Sequence, residues 1–407
     1  MRSLSLVLLL SGPALFGTAL FGTAGAAPVK ITFWHSMESV SGLVQQYADA
    51  FNKSQNLYEV VPQSAGNYLQ AEDRLEAALK DGTAPTMFQA ELTFFPKLAA
   101  DGQLANLGSL TNKLAPEFVK DFYPAVWGGG ELDGKRFGLP WNVSTPALFY
   151  NASALGRAGL TPPKTLGELE TAAKKLSGRG KRGLLTVADA WTFESLVASL
   201  GGSVVKGGAP NFTSPQAVSA LDLLARMSKD GSAAGRTLSE APRAAFDFVR
   251  GVHSLAFASV ANWPDFQKLA VFFGLGAAPM PCAQKCAVTI GGAELVVLSN
   301  ATREQQSGAV AFWQYLTRPE VLADWVRRTY YLPPRKSVQP LLEDFFAENR
   351  QRAPVFAQLD HALPRPKAPQ YARWRVFLEE AIARATKDGV PAREALEDAQ
   401  RKALGGS

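Results

Sequence analysis

The chain has 407 residues, 47% of them hydrophobic, and a formal net charge of +6. That length exceeds what one hydrophobic core usually organises, so two lobes are expected. The basic residues are scattered, which excludes a nucleic-acid-binding arm, and two cysteines with three histidines exclude a disulfide scaffold or a metal cluster.

The first element is an export signal. Met1-Arg2 gives a positive start, Leu4 to Phe21 is almost wholly apolar, and Ala24-Gly25-Ala26 supplies the small-x-small pattern for cleavage before Ala27. Gly12-Pro13 interrupts the apolar run, no later segment is long enough to span a bilayer, and no cysteine at the cleavage point could carry a lipid. A free, soluble protein in a periplasmic space is expected.

Beyond it, short apolar strands alternate with amphipathic helices, the pattern of α/β sheets. Val29 to Trp34 reads as a strand and Ser41 to Lys53 as a helix with Leu43, Tyr47 and Phe51 on one face. Tyr58 to Gln63 is a second strand, Ala71 to Asp81 a helix ended by Gly82, and Thr86 to Ala90 a third strand. Helices follow at Thr93 to Asp101, Thr165 to Leu176, Thr192 to Leu200 and Pro215 to Lys229, the last with Ser214 as N-cap. The C-terminal third is helical at Arg303 to Leu316, Pro319 to Thr329, Arg373 to Thr386 and Pro391 to Leu404.

Two segments break this rhythm. Asn142-Val143-Ser144-Thr145-Pro146 and Thr289-Ile290-Gly291-Gly292-Ala293-Glu294 are polar or glycine-rich bends fused to apolar strands, as a chain passing twice between two lobes requires. The expected lobes are 27–144 with 290–337, and 145–289 with 338–407. The basic stretch Lys174, Lys175, Arg179, Lys181 and Arg182 reads as a solvated helix end. Cys282 and Cys286 read as a small local disulfide in an oxidising compartment, which their spacing leaves open. Phe33-Trp34-His35-Ser36-Met37, at the end of the first strand, fits either a buried strand end or the first loop of a ligand cleft.

These motifs, with Gly66-Asn67-Tyr68, Tyr331-Leu332-Pro333 and Ala368-Pro369-Gln370, occur in the order and approximate spacing of ABC-transporter solute-binding proteins of the glycerol-3-phosphate-binding type. The chain resembles that family end to end, and more broadly the group that includes maltose- and trehalose-binding proteins. The resemblance implies a two-lobed periplasmic binding protein type II fold, each lobe a mostly parallel sheet flanked by helices. It also implies hinge closure on one small molecule, delivery to the transmembrane subunits of an ABC permease, a monomer, and neither cofactor, metal nor nucleic acid.

On the same basis Arg375 falls at the phosphate-binding arginine, in preference to Arg373, and a guanidinium fork suits a tetrahedral anion. Ser144, Ser259 and Gly292 match the further donors, since a residue without Cβ lets backbone approach a ligand closely. Tyr68 and Tyr331 match the aromatic hydroxyls, both read as lying in loops. Glu91 matches the carboxylate for ligand hydroxyls only after a one-residue shift, Leu92 being the ungapped counterpart. Of two family tryptophans only Trp191 is kept, Ala188 replacing the other, and Trp263 adds an indole that could rebuild a stacking wall. Tyr330 stands in place of a glycine, and Glu294, in place of a small hydroxyl residue, would repel a phosphate if it faced the cleft. These departures keep a neutral sugar open as the ligand. No hydrolase elbow, metalloprotease helix or phosphate loop is present, and the adjacent Glu379 and Glu380 read as solvated helix surface, so a secreted hydrolase is the least supported class.

Overall fold

The computed structural model describes residues 27–405 except Arg179. The export signal expected at 1–26, and Arg179 of the basic stretch, lie outside the described residues.

Alternating burial along β1 (Val29–His35) turns Ile31 and Phe33 into the core. β1 pairs in parallel with β2 (Tyr58–Ser64) and β3 (Met87–Glu91). The connections are α1 (Ser41–Ser54), which buries Leu43, Val44, Tyr47 and Phe51, and α2 (Tyr68–Asp81), which ends on a left-handed Gly82. α2 begins three residues earlier than the sequence pattern predicts. Asn67 accepts from the Gln70 N–H and the Gln70 side chain accepts from the Asn67 N–H, a reciprocal cap that draws Tyr68 out of the expected loop into the first helical turn. The helix expected over Thr93 to Asp101 contracts to Phe95–Ala100.

The first sheet has the order β2-β1-β3-β10-β4, with β4 at Gly138–Ser144 and β10 at Gly291–Val297. The second has the order β7-β6-β8-β5-β9, from β5 (Pro146–Asn151), β6 (Leu184–Val187), β7 (Ala233–Arg236), β8 (Leu255–Ser259) and β9 (Leu275–Ala278). In each sheet the fourth strand in this order runs against its neighbours: β10 in the first, β5 in the second. Both follow directly on a passage between sheets, β5 after Thr145 and β10 after Ile290. A strand that continues straight across enters the other sheet from the opposite end, so it must pair antiparallel.

α3 (Ala190–Ser199) starts two residues before its expected place because Asp189 accepts from the N–H groups of Trp191 and Thr192. α4 (Pro215–Lys229), α5 (Arg303–Leu316) and α6 (Pro319–Thr329) have the predicted limits. α5 and α6 cover the first sheet. α4, α7 (Tyr371–Lys387) and α8 (Ala392–Ala403) form the outer layer of the second. Cys282 and Cys286 are joined by a disulfide, in the segment that leads back to β10.

Candidate functional site

The two passages lie side by side, because Gly291 pairs with Ser144 and Gly292 with Val143. Gly292 has φ +109°, and a Cβ there would stand 1.8 Å from the Asn142 carbonyl oxygen. Only glycine accommodates both the backbone conformation and the approach. At Gly291 a Cβ would meet the Trp191 ring at 2.5 Å and Ser144 Oγ at 2.8 Å, so indole, hydroxyl and backbone converge there. The Trp191 Nε1–H donates to the Thr289 carbonyl at 2.9 Å, which leaves its ring face as its contribution to the cleft.

Beside this pair, Asn142 Nδ2 donates to the Tyr68 hydroxyl at 2.9 Å while Gln89 Nε2 donates to Asn142 Oδ1 at 2.7 Å. Gln89 Oε1 accepts from the Ser36 N–H at 2.7 Å. The aromatic strand end is therefore both things its sequence allowed: Phe33 is core, and Ser36 is tied to the cleft through Gln89 and Asn142. His35 is buried and accepts from the Met37 N–H, and desolvation lowers its pKa to about 4. The Tyr331 hydroxyl adjoins Tyr68 and Asn142, its ring stacks on Trp325 at 5.6 Å, and burial raises the pKa of both tyrosines.

Arg375 sits in the second turn of α7, half-buried, and its Nε is buried with no hydrogen-bond partner. Burial opposes its charge, but Glu91, Glu379 and Glu72 raise its pKa. Arg373 is exposed, its guanidinium 5.9 Å from the Phe377 ring. Glu91 ends β3 and is buried; its Oε2 accepts from Thr93 N–H at 2.8 Å, and Arg365 Nη1 lies 3.4 Å from its Oε1. Ser259 accepts from Ala261 N–H at 3.2 Å, capping a short turn, and lines a cavity of about 330 Å³ with Trp191, Phe248 and Phe266. A second cavity of about 240 Å³ is lined by Ser36, Asn262 and Tyr331. Neither includes Ser144, Glu91 or Arg375.

Two expectations need correction, and one left open at Glu294 is resolved. Trp263 builds no open stacking wall: it is 1% exposed and its ring packs edge-on to Phe149 at 5.8 Å. Glu379 is not solvated surface. It is half-buried, accepts from Ala190 N–H at 3.4 Å, and desolvation raises its pKa to about 7; its neighbour Glu380 does face solvent, paired with Lys402. Glu294 does not face the cleft: its carboxyl packs beside Gly129, Gly138 and Arg136. Tyr330, the glycine substitute, takes the glycine's left-handed conformation at φ +59° as the C-cap of α6. Sequence reasoning quoted Asn142 within its motif without a role of its own, and passed over Gln89, Glu72, Glu194 and Arg365. The i, i+4 spacing of Arg375 and Glu379 was a usable signal for the inward face of Glu379; the residues passed over are brought in by tertiary packing.

Among the described residues no group of three or more His, Cys, Asp or Glu is placed to hold a metal ion. Two lobes with a polar, aromatic-walled cleft at their shared passages define a protein that encloses a small solute. The chain belongs to the family described as bacterial extracellular solute-binding protein, whose profile matches residues 46–354. It is 30% identical over 339 residues to the sn-glycerol-3-phosphate-binding periplasmic protein UgpB of Yersinia pestis, covering 78% of this chain and 76% of that protein. Its fold matches the crystal structure of UgpB from Mycobacterium tuberculosis in complex with glycerophosphocholine, with a TM-score of 0.83, 23% identity, and coverage of 94% and 98%. It also matches the cyclic alpha-maltosyl-1,6-maltose binding protein of Arthrobacter globiformis, with a TM-score of 0.81, 22% identity, and coverage of 93% and 99%. At those identities the two structures speak for the fold alone.

Proposed function

We infer that the protein is the periplasmic receptor of an ABC importer, exported by cleavage after Ala26. It captures sn-glycerol-3-phosphate or a glycerophosphodiester such as glycerophosphocholine, acts as a monomer without catalysis, and delivers its ligand to the permease subunits. The lobes are 27–144 with 290–337 and 145–289 with 338–407, in keeping with the sheet to which each strand belongs.

The observation that carries this reading is Arg375. A buried guanidinium nitrogen without a partner is costly, and a tetrahedral phosphate supplies the acceptors it lacks. In this reading Ser144 Oγ and the Gly292 backbone complete the phosphate shell. Tyr68 and Tyr331 donate from the wall, Glu91 accepts from a glycerol hydroxyl, Trp191 covers the ligand's apolar face, and Ser259 adds a hydroxyl on the side of the larger cavity. The carboxylates around Arg375, Glu72, Glu91 and Glu379, favour a second reading, a neutral sugar.

The role of Arg375 is tested by one comparison. Arg375→Ala should weaken glycerophosphocholine binding by about a hundredfold, whereas Arg373→Ala should leave it unchanged. Equal effects of the two variants would reject the assignment of the anion to Arg375.

A further inference from the structure

We propose that Arg365 is a positioning residue for ligand hydroxyl recognition: fixed by Glu194 of the second lobe, it holds Glu91 of the first lobe in its ligand-facing orientation. The proposal rests on the ligand reading above.

Arg365 Nε donates to Glu194 Oε2 at 2.8 Å and Nη2 to Glu194 Oε1 at 2.9 Å. Two parallel charged hydrogen bonds set the plane of the guanidinium as well as its position. The Tyr371 hydroxyl also donates to Glu194 Oε1. Exposure is 7% at Arg365, 3% at Glu194 and 0% at Tyr371, so the unit is sealed, with Glu194 carried on α3 and Tyr371 opening α7. Nη1 remains, and it points across the cleft to Glu91 Oε1 at 3.4 Å.

Glu91 is held from its own side by Thr93, whose backbone and hydroxyl both donate to Oε2. A carboxylate has about four acceptor positions, so Oε1 can face Arg365 and still accept from a ligand hydroxyl. The segment bearing Arg365 is stiff, because Pro364 and Pro366 fix φ on either side. It is moored a second time where Lys367 Nζ donates to the carbonyls of Gly128 at 2.6 Å and Glu131 at 2.8 Å, both in the first lobe. Attraction from Glu194 and Glu91 outweighs burial and raises the Arg365 pKa, so the guanidinium is charged throughout the working pH range. If the lobes part, the two-bond fork holds Arg365 to Glu194, the Lys367 contacts to the first lobe open with the cleft, and Glu91 loses its cross-cleft partner. The carboxylate is then free to turn, and an oriented acceptor for a diol exists only when both lobes contribute.

The test compares two ligands by calorimetry: glycerophosphocholine, and the propyl analogue in which both glycerol hydroxyls are replaced by hydrogen. Arg365→Gln should weaken glycerophosphocholine by about tenfold or more and the propyl analogue by less than about twofold. Glu91→Gln should repeat that pattern, and the double variant should lose little further, because the two side chains act as one unit. If Arg365→Gln does not fold, Arg365→Lys keeps the charge without the fork and should show the same selectivity in smaller measure. Equal weakening of both ligands, or additive losses in the double variant, would overturn the positioning role alone. A wild-type protein that binds no glycerophosphate ester would overturn the ligand reading and this inference with it.

Discussion

Replacing Glu294 by glutamine should remove a pH-dependent loss of stability. Glu294 is 2% exposed on β10, and its Oε2 is buried with no hydrogen-bond partner. Desolvation pushes its pKa from 4.5 up to about 8, with Arg136 and Lys367 pulling partly back. Across that interval the native state binds a proton that the unfolded chain has released. Stability due to this group is therefore full below the unfolded value and falls as pH rises towards the folded one. The limiting slope is about 1.4 kcal/mol per pH unit, so the wild type should lose roughly 2–3 kcal/mol between about pH 5.5 and about pH 7.5 through Glu294. Glu72, raised to about 8, and Glu379, raised to about 7, act with the same sign, but they are common to both proteins and cancel in the difference. Urea unfolding followed by tryptophan fluorescence at a series of pH values gives both curves, with equal m-values as the check on cooperativity. Glu294→Gln should flatten the slope and leave ligand affinity unchanged, since the carboxyl lies away from the cleft. Parallel curves for the two proteins would refute the reasoning.

Other substitutions probe the passages between the lobes. Gly292→Ala combines a left-handed backbone with a Cβ 1.8 Å from the Asn142 carbonyl oxygen, so thermal unfolding should show a loss of about 3 kcal/mol or more and binding should fail with it. Tyr330→Gly relieves a left-handed residue, a gain of about 1 kcal/mol, but deletes packing against Trp263 and Phe345 and a hydrogen bond from Arg352; denaturant titration should show a net loss of about 2 kcal/mol. Cys282→Ser closes no loop, and a loop this short should account for only about 2 kcal/mol. Ligand affinity in that variant should match the wild type, because the disulfide touches none of the cleft side chains.

Long amphipathic helices were legible because caps and periodicity act locally: Ser214-Pro215 starts α4 where the sequence says it should. The second sheet's short strands were less so. Leu184–Val187, Ala233–Arg236 and Leu275–Ala278 are four residues each, the last two mostly alanine and glycine, too short to display a period. α2 and α3 were mis-started where the caps Asn67 and Asp189 went unread. In the cleft, the glycines at 291 and 292 could be found from sequence because glycine announces backbone geometry. Arg365 and Glu194 could not, since they are separated by 171 residues and nothing local marks either as buried. Glu379 was misjudged because adjacent carboxylates on a helix face different ways, and one of the two turned inward.

The central claim is that the cleft is built for a phosphate ester of glycerol. Calorimetric titration of the purified, ligand-stripped protein with glycerophosphocholine, sn-glycerol-3-phosphate and maltose tests it most directly. Saturable binding of at least one phosphate ester, with no heat from maltose, is the predicted result. Tight binding of maltose with no response to either phosphate compound would contradict it.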